Sequence, residues 1–186
     1  MAQVNRPTHA LKTTAAAAVL AGLSLLAACD ERSPSAADVI PVKIAGKTFY
    51  LEVAAEPDVR MKGLGGRTHI EEDGGMIFSF TPSQAGVQSF VMRDCPIPID
   101  IIYLNGTGRV LTTYTMLPEP PRSEDGSEGR AGDMSNRAYE ERLKRYSSRF
   151  PSPFVIELRE GTISRLGVKE GDQVTFDIAG LKKRTK

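Results

Sequence analysis

Apolar positions in this chain come in short runs separated by turn-forming residues, and no run keeps a helical period for long. From Val39 to Ala55 two β-branched stretches flank Ala45-Gly46-Lys47, which predicts a hairpin. In Glu56–Arg67, Pro57 suits a first helical turn and the glycines from Gly63 end it soon after. Gly74–Phe80 and Val87–Met92 read as strands across a Pro-Ser-Gln-Ala-Gly loop. In Ile97–Leu104 the residues Ile97, Ile99, Ile101 and Tyr103 share one side, and Pro98, Asp100, Ile102 and Leu104 share the other. Both sides are largely apolar, which predicts a strand covered on both faces. Asn105–Gly108 turns the chain into the strand Arg109–Met116. After an interruption come the strand Pro153–Glu160, a short helix in Gly161–Val168 and the strand Asp172–Ile178.

Eight short strands with brief helices predict an all-β fold, a compact antiparallel β-sandwich or jelly-roll-like domain over residues 39–181. The interruption at about 118–149 is rich in Pro, Gly and Ser and balances seven acidic against seven basic residues. It shows no core face and reads as a solvated insertion. A short helix is expected at Ala138–Tyr146, where Glu140–Lys144 and Glu141–Arg145 have supporting i,i+4 spacing.

The amino terminus carries an address. Arg6 and Lys12 precede Ala15–Ala28, an apolar run of 14 residues, too short to span a bilayer comfortably and suited to a signal peptide over residues 1–28. Leu26-Ala27-Ala28-Cys29 resembles a bacterial lipobox, which implies acylation of Cys29 and a tether over residues 29–38. Several acyl chains anchor stably where one does not. The expected partner is thus a membrane reached through lipid, on the periplasmic side, and Asp30 resembles an inner-membrane retention signal.

Composition narrows the chemistry. With 24 Lys or Arg against 23 Asp or Glu, the chain lacks the field of a nucleic-acid binder. Two Cys and two His are too few for most soft-metal sites, and no metal or cofactor signature is present. All 12 aromatic rings lie between Phe49 and Phe176, which places the core there.

A specific pattern runs through these elements. Arg60, Gly63-Leu64 and Arg67, then Gly75-Met76-Ile77-Phe78, then Phe90 through Leu104, then Tyr146, Phe154–Leu158, Gly161 and Gly167–Asp172 resemble, in order, the domain of unknown function 192 family. The resemblance covers roughly residues 40–178 apart from the insertion. It implies a jelly-roll-like sandwich and assigns no activity. Gly65, Gly66 and Val91 stand where the family often has Met, an aromatic and Trp, which implies a wider pocket here.

Two carboxylates stand out. Asp100 lies among isoleucines and Glu157 lies in Phe154-Val155-Ile156-Glu157-Leu158. An ionised carboxylate in an apolar strand must find a cation or donors, because unpaired burial is costly. Arg60, Arg67, Arg93, Asp94, Asp100 and Glu157 are therefore the candidate polar pocket, with Arg60 or Arg67 expected to neutralise Asp100. Three readings follow: a structural ion-pair lattice, a module binding a small polar ligand or an envelope protein, or a hydrolase with Asp100 and Glu157 as acid and base. Cys95 is the candidate thiol, expected to be buried, with His69 its sole histidine partner in the processed chain. Gly63–Arg67 reads as a flexible helix exit or an anion nest. Ser123–Gly129 has oxygen ligands without calcium-loop spacing.

Overall fold

The computed structural model describes residues 39–186. The segments expected to be a signal peptide and a tether, with the expected acylation site Cys29 and Asp30, lie outside the described residues. Eight strands and four short helices alternate: β1 (Val39–Ile44), β2 (Lys47–Ala54), α1 (Pro57–Lys62), β3 (Met76–Ser79), β4 (Val87–Phe90), β5 (Ile99–Leu104), β6 (Val110–Met116), α2 (Arg137–Arg142), β7 (Tyr146–Pro151), β8 (Phe154–Arg159), α3 (Thr162–Leu166) and α4 (Ile178–Arg184). Six strands form one sheet in the order β1-β2-β3-β8-β5-β6, and β4 pairs with β7 in a second. The result is a sandwich-like all-β fold. All pairs are antiparallel except β2 with β3.

Local chemistry explains several of these elements. The β1–β2 hairpin turns on Ala45 and Gly46, both at positive φ (46° and 85°), the pair of conformations a tight primed turn requires. Every residue of β5 is buried, as its two apolar faces require. One sheet face packs Ile77, Ile102, Leu104, Ile156 and Leu158 with Val42, Phe49 and Leu51 beneath α3 and the carboxy-terminal segment. The other packs Met76, Phe78, Ile99, Ile101, Tyr103 and Val155 with Leu64, Met92 and Tyr146. Five rings cross that second layer in edge-on contacts, Phe78 to Phe90 to Tyr103 to Tyr114 to Tyr146, with centroids 5.0 to 6.2 Å apart.

Three expectations need correction. Asp172–Ile178 is not a strand: it makes single bridges, Thr175 to Lys43 and Gln173 to Arg109, before α4. Tyr146–Pro151, expected within the insertion, is β7. Its serines hid it from pattern reading, but Ser148 is fully buried, accepting from the Gln88 N–H at 2.8 Å and donating to the Phe150 carbonyl at 2.6 Å. The insertion is also not simply solvated, since Tyr139 and Leu143 are buried in it. Asn136 caps α2 by accepting from the Tyr139 N–H at 3.0 Å, which fixes the approach of that ring.

Candidate functional site

Glu157 faces the second layer because of register. In the β5–β8 ladder Glu157 lies opposite Ile101, so its side chain joins Ile101, Ile99 and Phe78. Asp100 precedes Ile101 and therefore points to the other face. The sheet separates the two carboxylates. This removes the acid/base pair from the hydrolase reading, which needs both carboxyls flanking one bond.

Asp100 is fully buried and holds no arginine. Its carboxylate accepts from the Thr115 hydroxyl at 2.7 Å and from the Ile163 backbone N–H at 2.8 Å. That N–H belongs to the first turn of α3, where helix geometry leaves donors without intrahelical partners and favours negative charge. Arg60 instead donates to the carbonyls of Ala55, Ser79 and Lys186 and to Gln84. Arg67 grips Glu52 with both guanidinium arms, at 2.6 and 2.7 Å. The expected Asp100–arginine pair is thus replaced by a strand hydroxyl and a helix end.

Above Glu157 lies a cleft of about 590 Å³. Its floor is Phe78, Ile99 and Glu157. One wall is the turn after α1, Gly63–Gly66, and the other is Phe90–Cys95. Ala131, Gly132 and Met134 of the insertion close the rim. Gly63, at φ 51°, allows this approach: a Cβ there would stand 3.3 Å from the Phe78 ring and 3.5 Å from the Glu157 Oε2. The glycine run is neither a loose exit nor an open anion nest. The N–H groups of Gly63, Gly65, Gly66 and Arg67 donate to the carbonyls of Val59, Lys62, Asp94 and Leu64, at 2.9 to 3.2 Å.

Arg93 and Asp94 do not line up with Glu157 as a charged lattice. They clamp the insertion. Arg93 meets Glu140 through two bonds, 2.5 and 2.7 Å, and Asp94 meets Arg122 through two more, 2.8 and 3.0 Å. Asp94 also accepts from the Gly132 N–H at 2.8 Å, and its own N–H donates to the Tyr139 hydroxyl at 3.0 Å. Arg122 lies 3.6 Å from the Tyr139 ring centroid, a stacked cation. These bonds hold the carboxyls of Asp94 and Glu140 below their ordinary range. Sequence reading placed Glu140 on a short helix but had no signal for its pairing with Arg93, nor for Arg122 or Tyr139, because fork-to-carboxylate pairing across 28 or 47 residues leaves no local pattern.

The electrostatics of the cleft centre on Glu157. Burial raises its carboxyl to about 7, against the pull of the Leu64 N–H and the Arg67 charge. Its Oε2 is the one buried side-chain N or O among the described residues without a hydrogen-bond partner. Cys95 lines the same cleft as a buried free thiol, pushed up first by burial and further by Glu157. A thiol so placed is a poor nucleophile. His69 is well exposed beside Glu71, 3.5 Å away, and is not among the residues lining the cleft that holds Cys95. In the Ser123–Gly129 loop, Glu128 is taken by Arg142 at 2.6 Å and by the Ser123 N–H at 2.9 Å. No group of three or more His, Cys, Asp or Glu side chains among the described residues is arranged to hold a metal ion.

No curated protein matches the chain. Among solved structures, it is similar to a protein described as "a putative transcription regulator" from Sinorhizobium meliloti 1021, with 26% identity and a TM-score of 0.55 over 75% of this chain and 92% of that one. It is also similar to a protein of unknown function from Novosphingobium aromaticivorans DSM 12444, with 27% identity and a TM-score of 0.57 over 74% and 84%. The family model DUF192, described as "Uncharacterized ACR, COG1430", matches residues 40–176, and the chain belongs to that family.

Proposed function

We propose that this chain is a non-enzymatic binding module of the cell envelope, held on the periplasmic side by acylated Cys29 and taking a small ligand in the cleft over Glu157. The observation that supports it most is the buried carboxyl oxygen without a partner at the floor of an apolar recess. Buried polar groups are otherwise satisfied throughout proteins, so such an atom in a residue that lines a cleft is suited to a ligand's polar group. A cleft of about 590 Å³ lies within the ordinary range of small-molecule sites. A hydrolytic reading lacks its second carboxylate, and a DNA-reading role draws no support from a net charge of +1.

Titration with the neutral fluorescent dye N-phenyl-1-naphthylamine tests the cleft. The wild-type chain is expected to bind one equivalent with a blue-shifted emission. Val91, half-buried on the cleft wall, marks the place to fill it. Val91→Trp should weaken the dye at least about tenfold, as loss of an apolar site of this size implies, with the fold intact. Equal binding by both forms would refute the cleft as the site. Lipid attachment is tested separately: radioactive palmitate should label the wild type in bacterial cells and not Cys29→Ser, and label retained by that variant would refute the anchor.

A further inference from the structure

We propose that the cleft selects an amphiphilic amine, a compact aliphatic or aromatic body with one ammonium group that docks on the Glu157 Oε2. This inference rests on the cleft being a ligand site, and goes beyond it by assigning the ligand's chemistry. Phe78, Phe90, Met92 and Ile99 supply walls for an apolar body and no donor for the carboxyl. The polar groups around Glu157 are already engaged. Arg67 holds Glu52, Tyr103 donates to the Tyr146 carbonyl at 2.6 Å, and Cys95 donates to the Ile97 carbonyl at 3.5 Å. At the rim, Arg93 and Asp94 are paired with Glu140 and Arg122, and Arg60 serves main-chain carbonyls and Gln84. Asp58 and Lys62 are exposed, where water screens their charge.

What remains is a carboxyl oxygen that needs a donor. A neutral donor would satisfy the hydrogen bond but leave the negative charge opposed only by the Leu64 N–H and by the Arg67 charge, which do not outweigh burial. A carboxylate ligand would be repelled. An ammonium group satisfies both, since the buried pair is neutral overall and charge-assisted. Phenyl walls tolerate a cation beside them where aliphatic walls do not.

Three compounds with one body and different heads decide the matter: 2-phenylethylamine, 2-phenylethanol and phenylacetate, titrated calorimetrically against the full chain. The amine is expected to bind, the alcohol at least about tenfold more weakly, and phenylacetate not at all. Binding of the amine requires the ionised carboxyl, so its affinity should increase about tenfold per unit as pH rises toward 7 and flatten above it. Glu157→Gln should remove both the affinity and the pH profile, with folding checked by circular dichroism. Should that variant not fold, Val91→Trp, which fills the cleft without touching the carboxyl, must abolish amine binding instead. Phenylacetate or the alcohol binding as tightly as the amine would overturn the proposal. So would affinity that falls as pH rises through 7, which marks a ligand accepting from the protonated acid. If no compound binds while the neutral dye still does, the amine class is wrong and the cleft stands. If the dye fails as well, the cleft itself is not the site.

Discussion

Replacing Glu157 by glutamine is expected to stabilise the fold by about 3 kcal/mol at pH 8 and to leave it nearly unchanged at pH 4. The carboxyl ordinarily ionises near 4.5 and in the fold near 7, because Ile99, Ile101 and Phe78 surround it in place of water. Below 4.5 it is protonated in both folded and unfolded chains, and the fold bears no penalty. Between 4.5 and 7 the unfolded chain releases its proton while the folded chain keeps it, so stability falls as pH rises. Above 7 both forms are ionised and the full difference, about 3 kcal/mol, has been lost. Glutamine is close in shape and carries no charge, so its stability should be flat across this range apart from contributions common to both proteins. Urea unfolding of wild type and variant at half-unit steps from pH 4 to 9 measures the difference directly. Parallel curves would mean that Glu157 is solvated in the folded chain.

Asp100→Ala is expected to destabilise the chain by about 2–4 kcal/mol, with no recovery when Arg67 is also replaced by alanine. The substitution removes two charge-assisted hydrogen bonds, one from the Thr115 hydroxyl and one from the Ile163 N–H. Thr115 is exposed on β6 and finds water. The Ile163 N–H loses the partner that ties α3 to the central strand, so most of the cost belongs there. Arg67 is occupied by Glu52 in this fold. The two substitutions should therefore add to within about 0.5 kcal/mol, as sites without a shared partner do. Amide exchange at Ile163 should quicken before the central strands respond. A double variant more stable than Asp100→Ala would show that the arginine does oppose that carboxylate.

These two carboxylates mark how far the sequence can be read. Each was visible as a charge inside an apolar strand run, a local pattern that reports burial directly. Strand β5, apolar on both faces, the hairpin across Ala45-Gly46 and the short helix after Pro57 were legible for the same reason, since periodicity and turn chemistry act over a few residues. Strand β7 was not legible, because Ser147 and Ser148 are tolerated only where the Gln88 N–H and the Phe150 carbonyl take up the buried hydroxyl. The segment Asp172–Ile178 had a strand's pattern but meets its neighbours at only two bridges. Residue patterning there reflects burial of Val174 and Phe176 against the core rather than a continuous ladder.

By itself the sequence determined an all-β domain with a two-faced central strand, two carboxylates set in apolar strands, and the motifs of its family. Tertiary structure alone decided that Glu157 and Asp100 lie on opposite faces of the sheet, that a helix end rather than an arginine holds Asp100, and that Arg93 and Asp94 fasten the insertion over a cleft. The physical reason is that burial follows from local composition, whereas the partner of a buried charge follows from strand register and from contacts between residues dozens of positions apart. A shift of one residue in the β5–β8 pairing would have put Glu157 beside a different set of neighbours.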